Sequence, residues 1–275
     1  MRKILLAFDG TNFSRGAFDF ARRMNLHSPI LLTGVFLPQI NYANIWSYAG
    51  TAAVSPMFIP MVEDEETVAI EKNIAKFEAL CDRNMIEYRI HRDFTDFALP
   101  ALIKETRFAD LLIIGSESFY ENLGLNELNE SVKDALHGSE CPVLVVPEKF
   151  EFPQSNFLAY DGSDDSVFAI KQFAYIFPEL RINNTLLIYA REDINKEIPD
   201  QHYIEELSVR HFPTLSLSKL DINPRQFFTK WIAKQKGAIL ISGAFNRSIF
   251  SVMFRKSFIT DVIRDHKLPV FVAHR

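Results

Sequence analysis

Glycine is scarce in this chain: ten residues in 275, about half the usual share of roughly 7%. A chain with so few glycines has few places where backbone amides can close on phosphate, so any nucleotide site must be sparing. Cysteine is scarcer still. Cys81 and Cys141 are too few for a disulfide framework, and no C-x-x-C or cysteine–histidine spacing suggests zinc, so both read as buried thiols. The seven histidines are scattered, with no H-E-x-x-H and no pair at helical spacing, and no metal site is expected from them. No apolar run approaches the ~18 residues of a membrane span. The first apolar stretch, Ile4 to Phe8, is broken at once by Asp9 and Gly10 and is too short for a signal peptide. The expectation is therefore a cytoplasmic chain with no membrane partner. A formal charge of -5 provides no basic field, which argues against nucleic acid as a partner. What is present is 48% hydrophobic and 24% charged residues, the composition of a globular chain long enough for two modest cores.

The most informative positive feature is an internal repeat. Leu6, Ala7, Asp9 and Gly10 recur as Leu158, Ala159, Asp161 and Gly162, and Ser14 and Ala17 recur as Ser166 and Ala169. The ends of the halves match as well. Leu111-Leu-Ile-Ile-Gly115 answers Ile239-Leu-Ile-Ser-Gly243, and Cys141-Pro-Val-Leu-Val-Val146 answers Leu268-Pro-Val-Phe-Val-Ala273. Between the copies, residues 147–153 carry two prolines and three charges and read as a linker. The division expected is a first domain over 1–148 and a shorter second domain over 154–275.

Within each copy, short runs rich in Val, Ile and Leu alternate with helical periodicity. Ala17, Phe20, Ala21 and Met24 share one helix face, and Ile70, Ile74, Phe77 and Cys81 share another. Strands are expected at 30–36, 86–90, 111–114 and 143–146, then at 185–189, 215–220, 238–241 and 270–273, with a helix over 201–209. Val132, Ala135 and Leu136 match Ile259, Val262 and Ile263 as a duplicated last helix. Near-continuous apolar strands suit a parallel sheet covered on both faces, so each half is expected to be an α/β unit with a five-stranded parallel sheet. The short strands at 143–146 and 270–272 each follow a proline at the same place in their copy.

An Asp-Gly-Thr or Asp-Gly-Ser at the carboxyl end of a first strand lies where open parallel sheets bind ligands. Two readings stand. Asp9 and Asp161 shape a turn while Thr11 or Ser163 caps the next helix, or the same residues line a site. With these motifs the chain resembles the universal stress protein family in its tandem form. That resemblance rests on Asp9-Gly10-Thr11, Asp161-Gly162-Ser163, Gly115, Gly243 and the two closing proline–valine strands. It implies tandem Rossmann-like domains packed as an intramolecular pseudo-dimer, with the strands at 143–146 and 270–272 expected to meet and so cover open sheet edges, and a stress-linked function. For ATP or another adenine nucleotide it implies Asp9, Val35 and Gly115 in the first half. In the second half it implies Asp161, Gly162, Ala190 and Gly243.

Family members that bind ATP hold ribose and phosphates on a loop patterned Gly, two residues, Gly, nine residues, Gly and Ser/Thr. The first half departs from this with Ser118, Asn129 and Glu130. The second keeps the spacing and Ser257 but carries Asn246 and Lys256 in place of glycines. Each lost glycine puts a side chain where backbone must approach phosphate. Charge separates the two loops: Glu117, Glu121, Glu127 and Glu130 follow Gly115, whereas Arg247, Arg255 and Lys256 follow Gly243. These charges are either solvated surface or the reason one half holds phosphate; in the second case the second half is the binder. The aromatic-rich stretch 41–62 packs on its own domain or contacts a partner, which includes a second copy in a homo-oligomer. No G-x-S-x-G, Walker or full dinucleotide-binding motif is present. The expected function is non-enzymatic, with weak adenine-nucleotide binding in one half. A nucleotide-hydrolysing enzyme of the same fold and a nucleotide-independent interaction module are the alternatives.

Overall fold

A computed structural model describes residues 1–9, 12–37, 64–91, 98–117, 138–191, 197–221, 231, 235–243 and 268–274. The stretch 41–62, Gly10, Thr11, Asn246, Lys256, Ser257 and the duplicated helix around 132–136 and 259–263 lie outside these residues. In chain order the elements are β1 (Arg2–Asp9), α1 (Arg15–His27), β2 (Ile30–Leu37), α2 (Asp64–Arg83), β3 (Glu87–His91), α3 (Ala98–Thr106), β4 (Leu111–Gly115) and β5 (Val143–Val146). They continue with β6 (Ser155–Ala159), α4 (Asp164–Ile176), a 3-10 turn (Pro178–Leu180), β7 (Asn184–Arg191), α5 (Gln201–His211), β8 (Leu215–Asp221), β9 (Ala238–Gly243) and β10 (Val270–Ala273). Each expected strand is present: 143–146 and 270–273 as expected, 86–90 shifted by one residue to 87–91, and the others one to three residues longer than the apolar run that announces them.

The ten strands form one sheet in the order β3-β2-β1-β4-β5-β10-β9-β6-β7-β8. Within each set of five all pairings are parallel. At the centre β5 and β10 pair antiparallel, with Val270 opposite Val145 and Val272 opposite Val143, so the two proline-preceded strands meet as expected. Because direction reverses there, the carboxyl ends of the two parallel sets lie on opposite edges of the sheet.

Alternation along the strands explains why both faces are apolar. Ile4, Leu6 and Phe8 point into one core with α1 and α2, while Leu5 and Ala7 point into the other with Leu102 of α3. The first core is continuous across both halves of the sequence. Its bridge is aromatic. Phe20 of α1 stands edge-on to Phe177 beyond α4, 6.0 Å between centroids, and packs against Phe150 and Phe152 of the linker at 5.6 and 5.3 Å. Phe177 in turn meets Phe271 of β10 at 5.8 Å. The linker is therefore part of the core, because its two phenylalanines have a buried ring to cover.

Helix starts differ from the repeat alignment. Ser14, not Thr11, caps α1, its hydroxyl accepting from the Ala17 amide at 3.2 Å. Ser163 caps α4, accepting from Ser166 at 3.2 Å. Ser14 aligns with Ser166 in sequence, so α4 begins about one turn earlier than α1 relative to its strand; the serine nearest the turn captures the first orphan amides.

The core analysis predicts that Phe20→Ala lowers stability by about 3–5 kcal/mol. Leu26→Ala, on the same helix but 67% exposed, should change it by less than about 0.5 kcal/mol. Urea denaturation of the two variants checks the contrast.

Candidate functional site

The carboxyl end of β6 builds a rigid turn. Asp161 Oδ1 accepts from both the amide and the hydroxyl of Ser163, at 2.9 and 2.6 Å, and Ser166 Oγ donates to the Ser163 carbonyl at 2.7 Å. Gly162 sits between them at φ +85°, where an added Cβ would lie 2.8 Å from Cβ of Pro199. A side chain there is excluded twice, by backbone conformation and by space. Tyr160 fastens the covering segment from below, its hydroxyl donating to the Pro199 carbonyl at 2.8 Å. Burial, then the carboxylates of Asp200 and Asp161, push the Tyr160 phenol up to about 12, so it remains a donor across the physiological range.

Gly243 closes the other side of this turn. An added Cβ would lie 2.6 Å from the Asp165 carbonyl carbon and the Ser166 amide nitrogen, so glycine here lets β9 approach the first turn of α4. Gly243 ends β9 and Ala190 is next to last on β7, the strands on either side of β6, and Asp161 lies two residues beyond the end of β6. That first turn carries Asp164 and Asp165, which complement the helix dipole and repel an anion.

In the first half Asp9 and Gly115 end β1 and β4, while Val35 lies two residues before the end of β2 and pairs with Ala7. Val35 is buried and registers with His91 of β3, whose Nδ1 is 2.5 Å from Glu105 Oε2 of α3. The start of α1 holds a feature the sequence did not announce. Glu148, from the linker, accepts through Oε2 from the amides of Arg15 and Gly16 at 2.9 and 3.1 Å. Its own amide donates to Glu117 Oε2 at 2.9 Å, which also accepts from Ser116 Oγ. The approach needs glycine at position 16, where a Cβ would fall 2.0 Å from the Pro147 carbonyl oxygen. The protein's own carboxylate therefore takes the place that an anion would occupy at this helix end. A sequence reading sees Pro147 and Glu148 as linker, since their partners lie about 130 residues away; the one signal was an unusual glycine inside a helix.

Both thiols are buried and free. Burial pushes Cys81 up to about 12 and Cys141 up to about 11, so neither is a thiolate nucleophile near neutrality. Among the described residues no group of three or more His, Cys, Asp or Glu is gathered to hold a metal ion. Nor is any helix among them long and apolar enough to cross a membrane.

The turn geometry predicts that Gly162→Ala costs about 1–3 kcal/mol and Ser163→Ala about 1 kcal/mol. Calorimetric melting measures both, and an unchanged midpoint for Gly162→Ala would mean that Pro199 does not cover the turn.

No family model and no curated protein matches the chain. Among solved structures it is similar to a universal stress protein from Archaeoglobus fulgidus DSM 4304, with a TM-score of 0.68 and 17% identity over 100% of this chain and 96% of that one. The likeness is one of fold: the chain folds as a universal stress protein does, in an α/β architecture around a mostly parallel sheet.

Proposed function

We propose that the chain is a tandem protein of the universal stress type, a cytoplasmic stress-response protein of two Rossmann-like units, 1–148 and 154–275, joined as an intramolecular pseudo-dimer. It binds an adenine nucleotide weakly, in the second unit, and does not turn it over. The observation that carries the assignment to one unit is Glu148. Its carboxylate already satisfies the Arg15 and Gly16 amides, and Glu117 follows Gly115, so an added phosphate would meet two like charges and two amides already bonded there.

The second unit supports binding differently. Asp161 keeps Oδ2 for an adenine amino group while Oδ1 holds the turn, and Ala190 and Gly243 flank it. With Asp164 and Asp165 on the first turn of α4, phosphates fall to the loop after Gly243, where the sequence offers Arg247, Arg255, Lys256 and Ser257. A charge-assisted bond from Lys256 would contribute on the order of 1.5–3 kcal/mol. Phosphoryl transfer needs a positioned metal and charge-neutralising groups on the γ-phosphate, and nothing in the described residues favours it.

Titration calorimetry with ATP should give at most one site per chain, weakened at least tenfold by Asp161→Asn and by Lys256→Glu and unchanged by Asp9→Asn. Incubation with magnesium and ATP should release no ADP above buffer. Binding that follows Asp9 instead of Asp161 removes the one-unit reading, and magnesium-dependent ADP release lost in Asp161→Asn removes the non-enzymatic one.

A further inference from the structure

A separate feature lies where α5 hands over to the edge strand β8. His211, the last residue of α5, has a ring nitrogen, Nδ1, that is shut off from solvent and has no hydrogen-bond partner among the described residues. The Tyr175 ring of α4 stands nearly perpendicular to it, 5.4 Å between centroids. Arg181, following the 3-10 turn, donates through Nε to the His211 carbonyl at 2.9 Å and through Nη2 to the Arg210 carbonyl at 3.4 Å. Lys171 of α4 contributes a further positive charge. The charged side chains that act on the imidazole are thus two cations, Arg181 and Lys171, and Arg210 precedes it on its own helix.

The residues that follow make this junction mechanical. Phe212 is fully buried against Phe173, 6.3 Å between centroids. Thr214 is tied to Asn183 at 2.6 Å and to the Thr185 amide at 3.1 Å. From there β8 runs, among the described residues, as an outermost strand paired on one side only, to β7, with Ser216, Leu217 and Lys219 exposed. Such a segment belongs to the low end of the local stability range, and what anchors its start decides when it opens.

We propose that His211 is an acid-sensitive latch: when its ring gains a proton, the carboxyl end of α5 and the edge strand β8 release from α4 and β7 while the β5–β10 seam stays closed. A neutral ring suits the apolar contact with Tyr175. A charged ring would bring an N–H that has no acceptor at Nδ1 and a third positive charge beside Arg181 and Lys171. A helix carboxyl end ordinarily welcomes a cation, but Arg181 already fills that role. Burial first, then Arg181 and Lys171, hold the imidazole below the ordinary histidine range. For a base lowered in the folded state, the stability it contributes is present above its unfolded value of about 6.5 and is lost as the pH falls through that value toward the folded one. This inference does not depend on nucleotide binding.

Hydrogen exchange of the full chain, corrected for the intrinsic pH dependence of exchange, tests it. Between pH 7.5 and 5.5 the protection of amides in 203–221 should fall several-fold, while amides of β5 and β10 keep theirs. His211→Phe should remove the pH dependence at 203–221. Lys171→Glu, which replaces a repulsive charge by an attractive one, should diminish it, and this variant serves if His211→Phe does not fold. In the unaltered protein the His211 ring should titrate below about 6.5 by NMR. A midpoint at or above that value, no loss of protection in 203–221, or the same loss in either variant overturns the latch.

Discussion

Three antiparallel residue pairs between β5 and β10 join what would otherwise be two open sheets with exposed edges. An unpaired apolar edge strand such as Val143–Val146 is a template for aggregation; here each edge covers the other. Pairing two four-residue strands does not hold ten strands together alone. The seam persists because the core behind it is shared, through the chain of rings from Phe150 and Phe152 to Phe20, Phe177 and Phe271. Arg2 adds an ionic tie across the same boundary, its Nη1 bonding the Ile176 carbonyl and lying 3.6 Å from Glu179. Both side chains are largely buried, and neither carboxylate oxygen of Glu179 makes a hydrogen bond. Desolvation offsets such a pair, so its role is better understood as fixing alignment than as adding stability.

The reversal of direction at the seam has a geometric consequence. It sends the carboxyl ends of the two parallel sets to opposite sides of the sheet, so the ends of β1 and β6 face different ways. Each has gone its own way. At the first, β5 runs directly into Pro147 and Glu148, which return to the start of α1; at the second, the segment before α5 settles on Gly162 through Pro199. The first fills the start of α1 with charge, whereas the second covers Gly162 and leaves one oxygen of Asp161 outside the turn's own hydrogen bonds.

Much of this was legible in the chain itself. The repeat of Asp-Gly, the strand-end glycines and the paired proline–valine strands was enough to expect a doubled α/β unit, and the periodicities of Ala17–Met24 and Ile70–Cys81 marked faces that are in fact buried. Such signals are readable because strand alternation and helical period are local properties that every residue of an element reports. The cap at Ser14 was misread as Thr11 for a local reason too: two hydroxyl residues compete for the same orphan amides, and the choice depends on how far the chain must travel to lay α1 on the sheet.

What the sequence by itself determined is therefore the strands, the helix faces of α1 and α2, the helix α5 and the residue types at the strand ends, since these follow from periodicity and backbone preference. What the tertiary structure alone decided is how those ends are used. Glu148 reaches α1 across some 130 residues, Pro199 covers Gly162, and Gly243 serves the packing of β9 on α4. None of these leaves a periodic trace, because each is a contact between surfaces brought together by the fold, and a carboxylate in a proline-flanked linker looks the same in sequence whether water or a helix end accepts it.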